Sequence, residues 1–334
     1  MNRLGLYLSP TTEHNGGFER ALWADREGFD DLWFPDGDGM RDAMTFAATV
    51  AGCTERVRLC TGITPVFTRV PAVIATSSLA INRVAPGRFA LGLGSSTHTM
   101  VESWYGVPFE KPLGRVRETT ELVRRLFAGE KSRYDGNTVK SRGFRLKEPI
   151  IGEVPIFLAG MGPKMLELAG EIADGVILNH FTPLDRVPWA LECVDRGAKR
   201  SGRRVEDLEI AQRVAVWVTD DDAAARRFFR TDFSFYGSTM IYRDVIARMG
   251  YLEAAEEIRK GFEVRDRARI MAAVPDEAVE RMYVWGDRDA CYRRIREFYA
   301  AGIDTVAVAA QATNAEDYDA TCEAFRPSAF RAAA

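Results

Sequence analysis

The sequence predicts a (β/α)8 (TIM) barrel carrying insertions, and three observations lead there. Strand-length apolar runs alternate with helix-length amphipathic runs through a chain of 334 residues, the pattern of a parallel sheet covered by helices. Eight such strand runs can be placed in one chain of this length, which favours closure into a barrel over an open doubly wound sheet. A dinucleotide-binding sheet should turn from its first strand through Gly-x-Gly-x-x-Gly, whereas here the first turn reads Ser9-Pro10-Thr11-Thr12 and no glycine precedes Gly16.

Leu4 to Leu8 is the first strand, and Gly17 to Gly28 the first helix, with Phe18, Ala21, Leu22 and Ala24 on one face. Asp31-Leu32-Trp33-Phe34 and Ala43 to Ala51 repeat the unit. Val57 to Ile63 is strand three, a β-branched and apolar run stopped by Pro65, which cannot continue a central strand. Pro71 to Val84 follows, with Pro71 at a first helical position, where its missing N–H costs nothing. Strand four is Arg88 to Gly94, then a polar loop and a helix from Leu113 to Ala128. Tyr134 to Pro149 has hairpin punctuation at Asp135-Gly136-Asn137 and no counterpart in earlier units, so it is an insertion. Pro155 to Ala159, Gly175 to Asn179 and Leu208 to Thr219 are strands five to seven, separated by helices Lys164 to Ala173 and Val187 to Ser201. A helix starts at Asp220, and Thr231 to Pro275, long, aromatic and charged, is a second, helical insertion. Arg288 to Ala301 and Asp304 to Ala309 supply the last helix and strand. No linker interrupts residues 1–330, so one domain is expected.

A net charge of −3 argues against nucleic-acid binding, which needs a basic surface excess. The five cysteines are scattered and never form Cys-x-x-Cys, so neither a zinc site nor a disulfide framework is indicated and a reducing cytoplasm is expected. Residues 1–8 read as a strand rather than a signal peptide, and no apolar run approaches membrane-spanning length.

Barrel enzymes build their sites from the loops after the strands. The candidates are therefore Tyr7 and Ser9, Asp36 and Asp38, Gly62 to Arg69, Ser95 to Trp104, Gly160 to Lys164, and Asn179-His180, with strands seven and eight contributing nothing. Gly92-Leu93-Gly94-Ser95-Ser96-Thr97-His98 and Ala159-Gly160-Met161-Gly162-Pro163-Lys164 are glycine-rich. Such loops either make tight turns or let backbone N–H groups approach an anion; two of them, with Ser95, Ser96 and Lys164 nearby, favour a phosphate. His180 follows a buried run, and imidazole can donate a proton near neutral pH. His14 is expected in solvent, and His98 serves a loop or a ligand. Asp36 is either a helix cap or a site residue, and Trp104 and Tyr105 either core or pocket wall. The aromatics of the second insertion, Phe228 to Tyr242, pack helices, a few forming a lid. No two histidines stand at metal-ligand spacing, so no catalytic metal is expected.

Thr61-Gly62-Ile63-Thr64-Pro65 with Arg69 and Pro71-Ala72-Val73, Pro86 to Gly94, and above all Ala159 to Val176 resemble the luciferase-like superfamily of flavin- and deazaflavin-dependent oxidoreductases. The resemblance spans nearly the whole chain and is to the branch using coenzyme F420, which includes methylenetetrahydromethanopterin reductase. It implies a homodimeric barrel and a non-prolyl cis peptide at Gly62–Ile63 behind the cofactor ring. Asp36 and Thr61 would lie near the deazaflavin or its hydroxylated chain, and Gly94, Ser95, Ser96 and Gly160-Met161-Gly162-Pro163 along the phosphate tail, with Asn179 also at the cofactor. The implied activity is transfer of hydride from reduced F420 to a C=C or C=N bond of a small organic substrate, with His180, Tyr7 or Asp36 as proton donor or polariser. The alternatives are an FMN-dependent monooxygenase and a non-catalytic F420-binding protein. Two departures point to a different substrate from those of known members: Asp36-Gly37 stands where many have Asp-His, and Tyr7 where the methanopterin reductases have glutamate.

Overall fold

The computed structural model describes residues 2–8, 17–36 and 42–333; Ser9, His14 and Asp38 lie outside them. Eight parallel strands close a barrel: β1 (Arg3–Tyr7), β2 (Asp31–Phe34), β3 (Arg58–Thr61), β4 (Phe89–Gly94), β5 (Ile156–Gly160), β6 (Gly175–Leu178), β7 (Glu209–Val218) and β8 (Thr305–Ala310). Each pairs with the next, β8 pairs with β1, and β6 with β7, so the ring has no free edge. Thr64–Pro65 adds a short pairing to β4 after the chain leaves β3.

The helices of the successive units are α1 (Gly17–Glu27), α2 (Ala43–Ala51), α3 (Pro71–Val84), α4 (Pro112–Phe127), α5 (Pro163–Ile172) and α6 (Val187–Arg200). After β7 come α7 (Asp222–Gly237), α8 (Met240–Arg248), α9 (Leu252–Glu263), α10 (Arg267–Ala273) and α11 (Asp276–Met282), and α12 (Arg288–Ala300) leads into β8. The chain ends in α13 (Ala315–Ala324) and α14 (Pro327–Ala332), neither expected from the sequence. Proline opens α3, α4, α5 and α14 and stands second in α6, where the first turn has no use for its absent N–H. Among the described residues, no helix is long and apolar enough to cross a membrane.

Helix α7 runs through Gly237, past the Thr231 at which an insertion was expected to begin, because Phe229 and Phe233 continue its buried face. Beyond α11, Val284–Gly286 pairs with the end of β7, which explains why β7 is ten residues long: it serves β6, β8 and this short strand in turn. The first insertion is the expected hairpin, Arg133–Asp135 against Lys140–Arg142. It is pinned by Glu118 of α4, whose carboxylate accepts from the backbone N–H groups of Asn137, Thr138 and Val139 at 2.7–2.9 Å.

Alternation along each strand sends one set of side chains outward into the apolar shell beneath the helices and the other into the barrel. The interior is layered. At the N-terminal floor, Arg3 and Arg58 bind Asp31 at 2.7 and 2.6 Å, and Arg58 grips Glu209 through two bonds of 2.6 and 2.8 Å. Burial opposes the Glu209 charge, but Arg58 holds its carboxyl below the usual carboxylate range. Above lies an apolar layer of Trp33, Cys60, Ala90, Phe157, Ile177, Ala211 and Ala307, and against its upper side pack Tyr7, Ile63 and Ala159. The floor is sealed by ions and the middle by apolar bulk, which leaves the C-terminal mouth as the open end.

Candidate active site

At the mouth, the peptide bond between Gly62 and Ile63 is cis. Its surroundings are fixed by neighbouring strands. The Tyr7 hydroxyl, at the end of β1, donates to Gly62 O at 3.1 Å. Thr61 spends its hydroxyl on β4: Oγ1 donates to Gly92 O and accepts from Gly92 N–H, both at 2.9 Å. Thr61 is fully buried, so it holds the chain that carries Gly62 and offers no free hydroxyl. Substituting Thr61→Val keeps the shape and orphans both Gly92 groups, which should cost about 2 kcal/mol; chemical denaturation reads this, and Thr61→Ser should recover most of the loss.

Next to this bond, glycines leave backbone between the larger side chains of Tyr7, Trp33 and Ile63. A Cβ on Gly62 would stand 3.2 Å from Trp33 Cε3, and one on Gly94 would stand 3.2 Å from the Ile63 side chain and 3.5 Å from Ala159. A Cβ on Gly160 would meet Leu166 of α5 at 3.0 Å. Gly162 precedes α5 with no side chain capping the helix, so the helix start keeps its partial positive charge available to an anion. Ser96 takes a left-handed φ of 60°, and its hydroxyl turns to Met100 Sδ at 3.2 Å, while that of Ser95 turns to Ser96 O at 3.2 Å. The polar loop after β4 is a π-helical turn over Thr99–Trp104. Trp104 and Tyr105 beyond are exposed, so neither is core. His98 meets Glu102 at 2.9 Å on the surface. These positions come from the two glycine-rich loops after β4 and β5, with Met161 and Pro163 on the β5 side.

The three candidate proton donors differ in how they are held. Asp36 is in an ion pair with Arg69 at 2.6 Å, and Arg69 also reaches Asp42, so this carboxylate is committed to joining the loops after β2 and β3. Tyr7 uses its hydroxyl hydrogen on Gly62 O. His180 is 4% exposed, with Nδ1 at 3.1 Å from Arg213 Nη1. A guanidinium only donates, so Nδ1 accepts and Nε2 carries the hydrogen, and that Nε2 has no partner. Burial, and then the Arg213 charge, push the His180 pKa well below the ordinary histidine value. Of the two roles expected of His180, proton donor or polariser, a neutral imidazole offering an Nε2–H bond suits the second. Because the unfolded chain takes up a proton near pH 6.5 that the folded chain refuses, stability is full above that pH. It should fall by about 1.4 kcal/mol per pH unit below it. Unfolding midpoints measured from pH 7.5 down to 5 should show that slope, reduced in His180→Gln.

Around His180 stand Phe181, Tyr236 and Tyr242, with ring centroids at 4.8, 4.6 and 6.3 Å. Tyr242 accepts from Asn179 Nδ2 at 3.2 Å, and Asn179 Oδ1 accepts from Phe181 N–H at 2.9 Å. Two aromatics from α7 and α8 thus reach the mouth, while Phe229 and Phe233 are core and Phe235 is 60% exposed.

Arg213, which sequence reasoning missed, links these groups. It comes from β7, the strand expected to contribute nothing. Its guanidinium lies over the Tyr7 ring at 4.7 Å, touches His180, and donates to Tyr236 Oη at 3.4 Å. The available signal was parity: Glu209 and Ala211 face the barrel interior, so the charged residue two further on must face it too, one layer nearer the mouth.

A closed eight-stranded barrel with one glycine-lined, polar-rimmed mouth defines the class: a (β/α)8 enzyme with its site at the C-terminal ends of the strands. The family model for luciferase-like monooxygenases matches residues 6–305, and the chain belongs to that family. It is 32% identical to a Mycobacterium tuberculosis protein named as a coenzyme F420-dependent oxidoreductase, over 92% of this chain and 95% of that one. It is 31% identical to the 5,10-methylenetetrahydromethanopterin reductase of Methanolobus tindarius, over 86% and 87% of the two chains. The solved coenzyme F420-dependent tetrahydromethanopterin reductase of Methanopyrus kandleri shares the fold, with a TM-score of 0.81 at 24% identity, over 95% of this chain and 96% of that one.

Proposed function

We propose that the protein is a coenzyme F420-dependent oxidoreductase, a reductase working with reduced F420 on a C=C or C=N bond of a small organic substrate. The observation that carries this reading is the fit between the mouth and a flat ring with an anionic tail. Gly62 and Gly94 keep backbone open between the Ile63, Tyr7 and Ala159 side chains as a seat for a flat ring, and the uncapped start of α5 with Gly160 and Gly162 suits the tail. Relatives more than 30% identical over most of their length, one named as F420-dependent, support F420 over FMN as the occupant.

When bound, reduced F420 supplies a hydride, and carbon in place of the flavin N5 makes it react poorly with oxygen. The chain's own residues do the rest. Thr61 and Tyr7 fix the backbone behind the ring. His180 Nε2–H presents a hydrogen-bond donor to an acceptor atom as it gains charge. The aromatic cluster of Phe181, Tyr236 and Tyr242 excludes water from that side. Asp36 with Arg69 holds the rim toward the hydroxylated chain of the cofactor.

The same reading includes one domain, a homodimer and a cytoplasmic location. All five cysteines are free thiols, four of them buried, which suits a reducing compartment, and the apolar side chains of Val73 and Val84 are exposed on α3. Titrating the purified protein with F420 and with FMN tests the assignment. F420 should bind and FMN should bind at least about tenfold more weakly, a gap of about 1.4 kcal/mol; tighter binding of FMN would transfer the protein to the monooxygenase reading.

A further inference from the structure

Among the described residues, three arginines of the barrel interior stand in different situations. Arg3 and Arg58, at the floor, are matched by Asp31 and Glu209 through bonds of 2.6–3.0 Å. Arg213, at the mouth, has no carboxylate within ion-pair distance among the described residues. Its contacts are a neutral imidazole, a tyrosine hydroxyl and the face of the Tyr7 ring. Asp232 of α7 is the carboxyl whose field reaches it, yet no ion pair joins them; Asp232 Oδ2 accepts from Tyr283 Oη at 2.7 Å. Arg213 Nε is buried without an acceptor, and so is His180 Nε2. Two side chains in contact with each other thus carry, among the described residues, one charge that no carboxylate bonds directly and two unmatched N–H donors.

A buried guanidinium is expensive unless paired, and an orphaned donor costs a further 1–3 kcal/mol or so. A carboxylate answers the charge and the Arg213 Nε–H together, because guanidinium and carboxylate match in fork geometry; His180, whose Nδ1 faces Arg213, steadies the guanidinium and turns its own Nε2–H to the other side of the ring. The place of the carboxylate is constrained as well. It would lie beside Tyr7, whose hydroxyl rests on Gly62 O, and thus within one side chain of the proposed ring seat. Phe181, Tyr236 and Tyr242 pack around the His180 ring, so the surface beside the subsite is apolar and aromatic.

We infer that Arg213, held by His180, forms a carboxylate-docking subsite, and that the substrate is a small monocarboxylate with an apolar body, tethered by its carboxylate with the reducible bond toward Gly62–Ile63. This rests on the oxidoreductase reading for the word substrate, but the subsite itself does not depend on the cofactor.

The test is isothermal titration of propionate, butyrate and benzoate, each against its neutral amide, into the F420-loaded protein and its Arg213→Gln variant. In the wild type at least one carboxylate should bind about tenfold or more tightly than its amide. In Arg213→Gln that carboxylate should weaken by about thirtyfold or more, while F420 affinity stays within about threefold. Carboxylates binding no better than amides, or binding Arg213→Gln as well as wild type, would overturn the inference. So would a variant that loses F420 instead, since the anion on Arg213 would then belong to the cofactor. If the wild type takes up no F420, the oxidoreductase reading fails by itself, and the same titrations on the free protein still decide the subsite. Should Arg213→Gln not fold by circular dichroism, Arg213→Lys replaces it. Lysine keeps the charge without the planar fork, so carboxylate affinity should drop several-fold, and an unchanged affinity would count against the subsite.

Discussion

Gly92→Ala is expected to destabilise the protein by more than about 4 kcal/mol, or to prevent folding. The added Cβ would lie 1.9 Å from Thr61 O and 2.9 Å from Ile177 Cδ1. The first of these is backbone, so no rotamer change relieves it. The two strands would have to part where Thr61 Oγ1 bridges to both Gly92 N–H and Gly92 O, and with them the segment carrying Gly62 and Ile63. Any soluble fraction of the variant should therefore have lost F420 binding. Denaturant unfolding gives the stability and cofactor titration the binding. Gly94→Ala is the contrasting case, because its Cβ meets side-chain atoms at 3.2 Å; it should fold while reshaping the seat, so F420 affinity falls with little change in the unfolding midpoint.

The second large effect lies at the opposite end of the barrel. Asp31 is fully buried and accepts from Arg3 Nε and Nη2 and from Arg58 Nε, at 3.0, 2.7 and 2.6 Å. Asp31→Ala leaves two arginines facing Glu209 alone and should cost about 3–5 kcal/mol, the range for breaking one side of a buried pair. The site lies two layers above, so an Asp31→Ala protein that remains folded in the cold should keep its F420 affinity within about twofold. A loss of binding equal to that of Gly94→Ala would mean that floor and mouth are coupled through the apolar layer of Trp33, Phe157 and Ile177.

Sequence periodicity marked the barrel well because its signal is local. Asp31–Phe34, Ala43–Ala51 and Pro71–Val84 fall where the sequence placed them, each bounded by residues with a plain physical role, such as the proline opening α3. Asp42 capping α2, through its side chain to Thr45 N–H at 2.6 Å, is a boundary of the same kind. The strand Val284–Gly286 was not legible, since three residues carry no periodicity and it exists only through its pairing with β7. The reach of α7 to Gly237 was obscured by the aromatic density of Thr231 to Tyr242, which reads as an insertion until Phe229 and Phe233 are seen on one buried face.

Site residues divide the same way. Glycine-rich loops and the Thr61-Gly62-Ile63 run announce themselves by composition and by resemblance. What those residues do depends on partners far along the chain: Thr61 is occupied by Gly92 and Asp36 by Arg69, and His180 is kept neutral by burial and then by Arg213. Arg213 itself sits in Ile210 to Val218, a run that reads as an ordinary buried strand, and its role emerges only when parity within the barrel is tracked from Glu209.

A crystal structure of the protein with F420 bound tests the central claim most directly. The account predicts the deazaflavin with one face on the Gly62–Ile63 backbone, its tail running past Gly94 and Ser96 toward the start of α5, and His180 and Arg213 around its open side. A ring bound elsewhere, or a mouth that stays empty at saturating F420, would contradict it.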